Sequence, residues 1–246
     1  EDILRVPMPL LPGDHLIDNY NLAFSPEIKT RGIGDVPIGT MLFNSTVMAL
    51  SIAVGKIAIS IISAFALVYF RFRFRIAVFW MILITLMLPV EVRIIPTFKV
   101  VADLGMLNSY FGLTVPLIAS ATATFLFRQF FLTVPEELLE AAKMDGAGPL
   151  RFFRDILLPL SRTSIAALFV ILFIYGWIQY LWPLLVTTDE GYYTILIGIQ
   201  KMMVAAEEEP SWNIIMATAI MAMIPPALVV VCMQRLFVKG LKKKKK

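Results

Sequence analysis

Five long apolar runs dominate this chain, at about 40–69, 76–97, 111–131, 164–187 and 214–238. A helix needs roughly 20 residues to cross a hydrocarbon core of about 30 Å, and each run is long enough. The runs are continuous rather than alternating, which predicts membrane-spanning helices and not the strands of a barrel. Composition agrees: 59% of the residues are hydrophobic and the mean hydropathy is +0.79, whereas soluble domains hold about 45–50% apolar residues. The expected fold class is therefore an all-α, polytopic membrane helix bundle with five spans.

Within the spans the composition points to close helix packing. Small residues crowd the first run (Ala49, Ser51, Ala53, Gly55, Ala58, Ser60, Ser63, Ala64, Ala66) and recur at Ala119–Thr124. In lipid such residues let helices approach closely, so these faces are expected to touch protein. Pro89, Pro96, Pro116, Pro183, Pro225 and Pro226 should kink or interrupt their helices.

Charge placement sets an orientation. Of the 22 Lys and Arg residues, fifteen lie in Arg71–Arg75, Arg128–Arg162 and the tail from Arg235 to Lys246. Six lie in the opposite segments, and Lys56 sits inside the first span. The positive-inside rule puts the first group in the cytoplasm. This yields a periplasmic N-terminal segment (1–37), a transmembrane domain (38–238) containing a cytoplasmic loop at 133–163, and a basic cytoplasmic tail (239–246). Residues 1–37 show no export-signal pattern, so a sixth, N-terminal span absent from this sequence is expected to precede them.

Enzyme chemistry finds little material. The chain has one histidine, His15, and one cysteine, Cys232, which leaves no metal set and no nucleophile–base pair. No phosphate-cradling G-x-x-x-x-G-K-[ST] occurs; Gly55-Lys56 lacks both the earlier glycine and the following hydroxyl.

The polar stretch 133–163 carries the strongest pattern: Glu140-Ala141-Ala142, three residues, Gly146, nine residues, Ile156, one residue, Leu158-Pro159. Thr133 and Glu136 are spaced as a capping box, with Thr133 as N-cap. Glu136, Glu137 and Glu140 lie toward the positive end of the helix dipole, and Gly146 should end the helix in the left-handed conformation. A second short helix is expected over Leu150–Leu157, with Leu150, Phe153 and Leu157 on one face and Arg151 and Arg154 on another.

This spacing resembles the EAA signature of permease subunits of bacterial ABC importers, and the likeness extends over nearly the whole chain. Thr85–Pro96, Ala119–Phe131 and Tyr175–Leu185 are most similar to permeases of the sn-glycerol-3-phosphate kind, within the maltose-type, carbohydrate-uptake group. The resemblance implies a multi-pass subunit of the bacterial inner membrane that forms half of a pore with a second, different permease. It also implies two ATPase subunits, which bind ATP and Mg, and a periplasmic substrate-binding protein; this chain would hold no cofactor and bind no nucleic acid. Glu140, Ala141, Ala142, Met144, Asp145, Gly146 and Pro159 would make the contact that couples ATP hydrolysis to transport. The cargo implied is sn-glycerol-3-phosphate or a related glycerophosphodiester, with a sugar or oligosaccharide as the alternative. Without the resemblance, an ion-coupled carrier using Lys56 and Glu91 as a relay stays open.

Ionisable and amide groups inside the spans are costly and are therefore candidates for the substrate path. Lys56, Glu91 and Arg93 qualify, and a phosphate would need such cationic donors. Gln179 with Trp177 and Tyr180 could line a path for a small polyol, although the aromatic cluster Tyr175–Trp182 also fits interfacial anchoring. Asn44 is the weakest candidate and fits a helix-packing amide equally well.

Overall fold

The computed structural model describes residues 15–24, 36–85, 90–205 and 212–243, with residues 90, 91 and those beyond 234 described by backbone alone. Helix is the only regular structure among these residues, with no strand. In chain order the helices are α1 (Leu16–Phe24), α2 (Ile38–Tyr69), α3 (Arg75–Ile84), α4 (Val90–Asp103), α5 (Tyr110–Thr114) and α6 (Ala121–Phe131). There follow α7 (Glu136–Met144), α8 (Pro149–Phe152), α9 (Leu158–Leu160), α10 (Arg162–Trp177), α11 (Leu181–Val186), α12 (Ile195–Ala205) and α13 (Trp212–Lys243).

Helix α2 is the organising element. Its 32 residues rise about 48 Å, enough to cross a bilayer and emerge at both faces. It packs against α1, α3, α5, α6, α10, α12 and α13. The small residues explain how so many neighbours fit. Ala49, Ala53 and Ala64 are fully buried. A Cβ on Gly176 of α10 would lie 2.9 Å from the Cα of Ala49, so the two backbones nearly touch. A Cβ on Gly55 would meet the Ile118 side chain at 2.9 Å. Ser60 donates to the Ser120 carbonyl at 3.2 Å, and the Ser120 hydroxyl accepts from the Ala123 amide, capping α6. The two small-residue stretches thus meet each other.

Among the described residues, two helices, Ile38–Tyr69 and Trp212–Gln234, are single uninterrupted stretches long and apolar enough to span a membrane. Two further candidates are bent pairs: Tyr110–Leu117 with Ala121–Phe131 at 49°, and Pro149–Leu160 with Arg162–Trp177 at 71°. Pro116 lies in the 3-10 turn Val115–Leu117 at the first bend, as its missing N–H requires. The run 76–97 is not one helix but parts of α3 and α4, with 86–89, including Pro89, outside the described residues. The run 164–187 is likewise broken at 178–180, between α10 and α11. Pro183 sits in the first turns of α11, where a missing N–H costs little. Pro225 and Pro226, by contrast, lie inside α13 without ending it. Two helices lie where the apolar runs predict none: α1, within the N-terminal segment, and α12, between α11 and α13.

The bundle has two distinct ends. At one, Tyr69 and Phe65 near the foot of α2 pack on Phe152 and Phe153, and the Tyr69 hydroxyl donates to the Phe131 carbonyl. At the other, Asn108 bonds Thr188 and Asp189, and Asn44 near the start of α2 bonds residues 191 and 193. The 71–75 and 133–163 loops, sorted together by charge, therefore adjoin one end of α2.

Replacing Gly176 with Val should force α10 away from Ala49 and cost about 1–3 kcal/mol by overpacking. A melt of the detergent-solubilised protein should show a lowered midpoint, whereas Gly39→Ala, where a Cβ meets nothing within 4 Å, should not lower it.

Candidate functional site

The loop between α6 and α10 is a helix–turn–helix whose geometry follows from the spacing of its residues. Helix α7 places Glu136 and Glu137 in its first turn and Lys143 in its last, matching both ends of the dipole. Its C-terminus is closed by a Schellman motif: the Gly146 amide donates to the Lys143 carbonyl at 3.0 Å and the Ala147 amide to the Ala142 carbonyl at 2.8 Å. Gly146 has φ of 73°, as this motif requires and as most side chains resist. The interval from Ala142 to Gly146 is thus the interval from the bonded carbonyl to the left-handed residue. Ala142 is buried against the core, while Glu140, Ala141, Met144, Asp145 and Gly146 face outward.

The N-terminal cap differs from the one expected. Pro135, not Thr133, occupies the cap position, and no side chain caps α7. Thr133 still belongs to the turn that ends α6: its amide and hydroxyl both donate to the Phe130 carbonyl. That bond removes the hydroxyl from reach of the next helix.

The second half begins earlier than predicted. Pro149 opens α8, where a missing N–H costs nothing. The chain then widens into a π-helical segment, Phe153–Leu157, before continuing as α9. Pro159 accounts for the widening, because it has no N–H to offer the Asp155 carbonyl one α-turn back. The buried face consists of Phe152 and Leu157 with Ser161, whose hydroxyl donates to the Leu157 carbonyl at 2.6 Å. Leu150, expected on that face, is instead 80% exposed, and Met144 across the turn is 83% exposed. Two unbranched or flexible apolar side chains standing free beside a rigid turn make a surface suited to a protein groove. The exposed pair Arg154 and Asp155 is joined at 2.8 Å, and that hydrogen bond holds the Asp155 carboxyl below the usual range. Screening by solvent leaves such a pair little weight in stability.

The intramembrane candidates separate into two sets. Asn44 is fully buried, and its amide donates to the Gly191 and Tyr193 carbonyls at 2.8 and 3.0 Å while its oxygen accepts from the Tyr110 hydroxyl at 2.7 Å. It is a clasp between α2, α5 and the 190–194 turn, the geometry of a helix-packing amide. Trp177 is stacked on Phe173 inside the core at 5.8 Å. Gln179 turns back to donate to the Tyr175 carbonyl at 3.1 Å, and Tyr180 packs beside the core. Trp182 is no interfacial anchor either: it is buried, with its indole N–H on the Gly112 carbonyl at 3.1 Å.

The second set is ionisable. Lys56 is buried, with Nζ 3.6 Å from the centre of the Tyr175 ring, a cation–π contact. Arg93 is exposed on α4. Glu91 lies on the same helix, its side chain outside the described residues. Sequence reasoning missed Tyr175 as the partner of Lys56, because nothing local ties residues so far apart. It also missed Asn108, whose positive φ of 50° lets its side chain accept from the Thr188 and Asp189 amides.

Comparison with known proteins fits this picture. Residues 56–243 match the family described as the binding-protein-dependent transport system inner membrane component. The chain is 65% identical over 240 residues to the sn-glycerol-3-phosphate transport system permease protein UgpE of Agrobacterium fabrum, covering 98% of this chain and 84% of that protein. It is 57% identical over 239 residues to the protein of the same name from Salmonella typhi, with 97% and 84% covered. Among solved structures it shares its fold with a chain of a bacterial ABC transporter involved in the import of the acidic polysaccharide alginate. The TM-score is 0.77 at 23% identity, with 95% of this chain and 83% of that one covered. A bent helical bundle carrying this turn, and a match over most of its length, make this chain a member of the binding-protein-dependent ABC transporter inner membrane component family.

Proposed function

We propose that this chain is one of two permease subunits of an ATP-driven importer for sn-glycerol-3-phosphate or a closely related glycerophosphodiester. The observation that carries the cargo is the 57–65% identity, over nearly the whole chain, to permeases named for that substrate. A second permease completes the pore, a binding protein delivers substrate from outside, and two ATPase subunits bind ATP and Mg on the cytoplasmic side.

The Glu140–Gly146 turn is the part that receives force. Ala142 ties it to the bundle, the Schellman cap makes it stiff, and Met144 and Leu150 offer apolar side chains to an ATPase cleft. Phe152 and Phe153, packed against Tyr69 and Phe65, connect the turn to α2. A displacement of the turn therefore reaches the central helix through packed aromatic rings rather than through a loose linker. In this orientation the arginine-rich end of the bundle faces the cytoplasm.

Lys56 and Arg93 form the cationic part of the path. A transit site must attract the phosphate without holding it, and two cations on separate helices do so less rigidly than a closed phosphate loop. Tyr175 holds Lys56 in place from α10.

Gly146→Pro should break the turn, since proline cannot adopt φ of 73° and has no amide for the Lys143 carbonyl. In proteoliposomes holding the whole complex, ATP hydrolysis should then no longer respond to the loaded binding protein, and uptake should fall to background. Met144→Asp together with Leu150→Asp should release the ATPase subunits on size exclusion; intact assembly with normal uptake in both tests rules out coupling at this turn.

Arg93→Gln should reduce sn-glycerol-3-phosphate uptake about tenfold, the scale of one lost hydrogen bond to a charged group. Substrate-stimulated hydrolysis should respond less steeply to cargo as well. Unchanged uptake in both Arg93→Gln and Lys56→Met would exclude these cations from the path.

A further inference from the structure

The loop between α2 and α3 repeats one dipeptide three times, Phe70-Arg71-Phe72-Arg73-Phe74-Arg75. Neither the coupling turn nor the substrate path uses it. Arg71, Phe72, Arg73 and Phe74 are exposed, with Phe74 at 66%. Residues Arg71–Ala77 line an open surface depression of about 310 Å³.

Its setting is a membrane boundary. On one side α2 ends at Tyr69 after an apolar stretch longer than the bilayer. On the other, α3 is apolar and none of its ten residues is buried in this chain. Ile76, Trp80, Met81 and Ile84 stand open on it. The loop thus adjoins a helix with an outward apolar face, at the level where headgroups begin. A fourth guanidinium, that of Arg128 on α6, lies 4.1 Å from the Phe79 ring centre, one turn along α3 from Arg75.

We propose that this loop is a binding site for the headgroup of an anionic phospholipid. Planar guanidinium groups bind phosphate oxygens in pairs, and each cation near an anionic membrane surface strengthens attraction. The interleaved phenylalanines are what separate a lipid from an acidic protein partner. An acidic protein surface would account for the arginines, but the exposed rings here continue the outward apolar face of α3. At a bilayer interface the rings enter the acyl boundary and hold the arginines at phosphate depth. The open depression lined by these residues has the volume to admit a headgroup. The site depends on neither the cargo nor the choice of cytoplasmic face, so its failure would leave the transport reading untouched.

The test is native mass spectrometry of the complete transporter, released from nanodiscs of equal phosphatidylglycerol and phosphatidylcholine. The wild-type complex should retain phosphatidylglycerol in preference to phosphatidylcholine, and less of it as salt rises. Retention at this site should weaken roughly fivefold for each arginine removed in R71Q, R73Q and R75Q. The corresponding triple lysine variant should recover most of it, and F72A with F74A should lower it with all charges in place. Equal retention of the two lipids by the wild type overturns the proposal without any variant. So does unchanged phosphatidylglycerol retention in the triple glutamine variant. Loss of ATPase subunits from that variant, with its lipid intact, would assign the arginines to an acidic protein surface instead.

Discussion

The near contact between Ala49 on α2 and Gly176 on α10 is the constraint on which the bundle rests. In a bilayer, apolar side chains gain little by leaving lipid for protein, so helices associate mainly through close packing and internal hydrogen bonds. Gly176 and Ala49 bring two backbones together, and Ala53, Ser60 and Ala64 extend the same narrow profile along α2. Because α2 is thin on these faces, α6 and α10 can both reach it. Larger buried residues, Phe127, Phe131 and Phe173 among them, complete the core, with Phe131 against Tyr69 at the far end of α2.

Each end of the bundle is then finished by a different kind of interaction. The end carrying α7 is joined by aromatic rings, with Phe65 and Tyr69 against Phe152 and Phe153. The opposite end is joined by amides, with Asn44 and Asn108 bonding backbone groups far away in sequence. Packed rings join the 149–157 segment to α2 over a broad surface. Directional hydrogen bonds pin loops whose backbone groups would otherwise be left unsatisfied near lipid.

The geometry of the turn at Gly146 was largely legible because its determinants are local. A left-handed glycine four residues beyond a bonded carbonyl is a property of consecutive residues, and Ala142 and Gly146 occupy those places. Thr133 shows where local reasoning stops. Its spacing to Glu136 suits a capping box, yet the preceding helix claims its hydroxyl first. Leu150 was misplaced for a related reason. The helix begins at Pro149 and widens through residues 153–157, so the face predicted from regular α-helical spacing rotates, and Phe152 turns inward instead.

By itself, the amino-acid sequence determined the all-helical membrane fold, the existence and closure of the turn at Gly146, and the grouping of the basic loops. Hydrophobic length, glycine stereochemistry and charge are all carried by neighbours along the chain. Tertiary structure alone decided which polar groups inside the bundle are used up by the protein. Asn44 is saturated by residues 110, 191 and 193, Trp177 disappears into the core, and Lys56 meets Tyr175. It also decided that three apolar runs break into shorter helices, since a proline only permits a bend and the packing of the neighbouring helices chooses its direction.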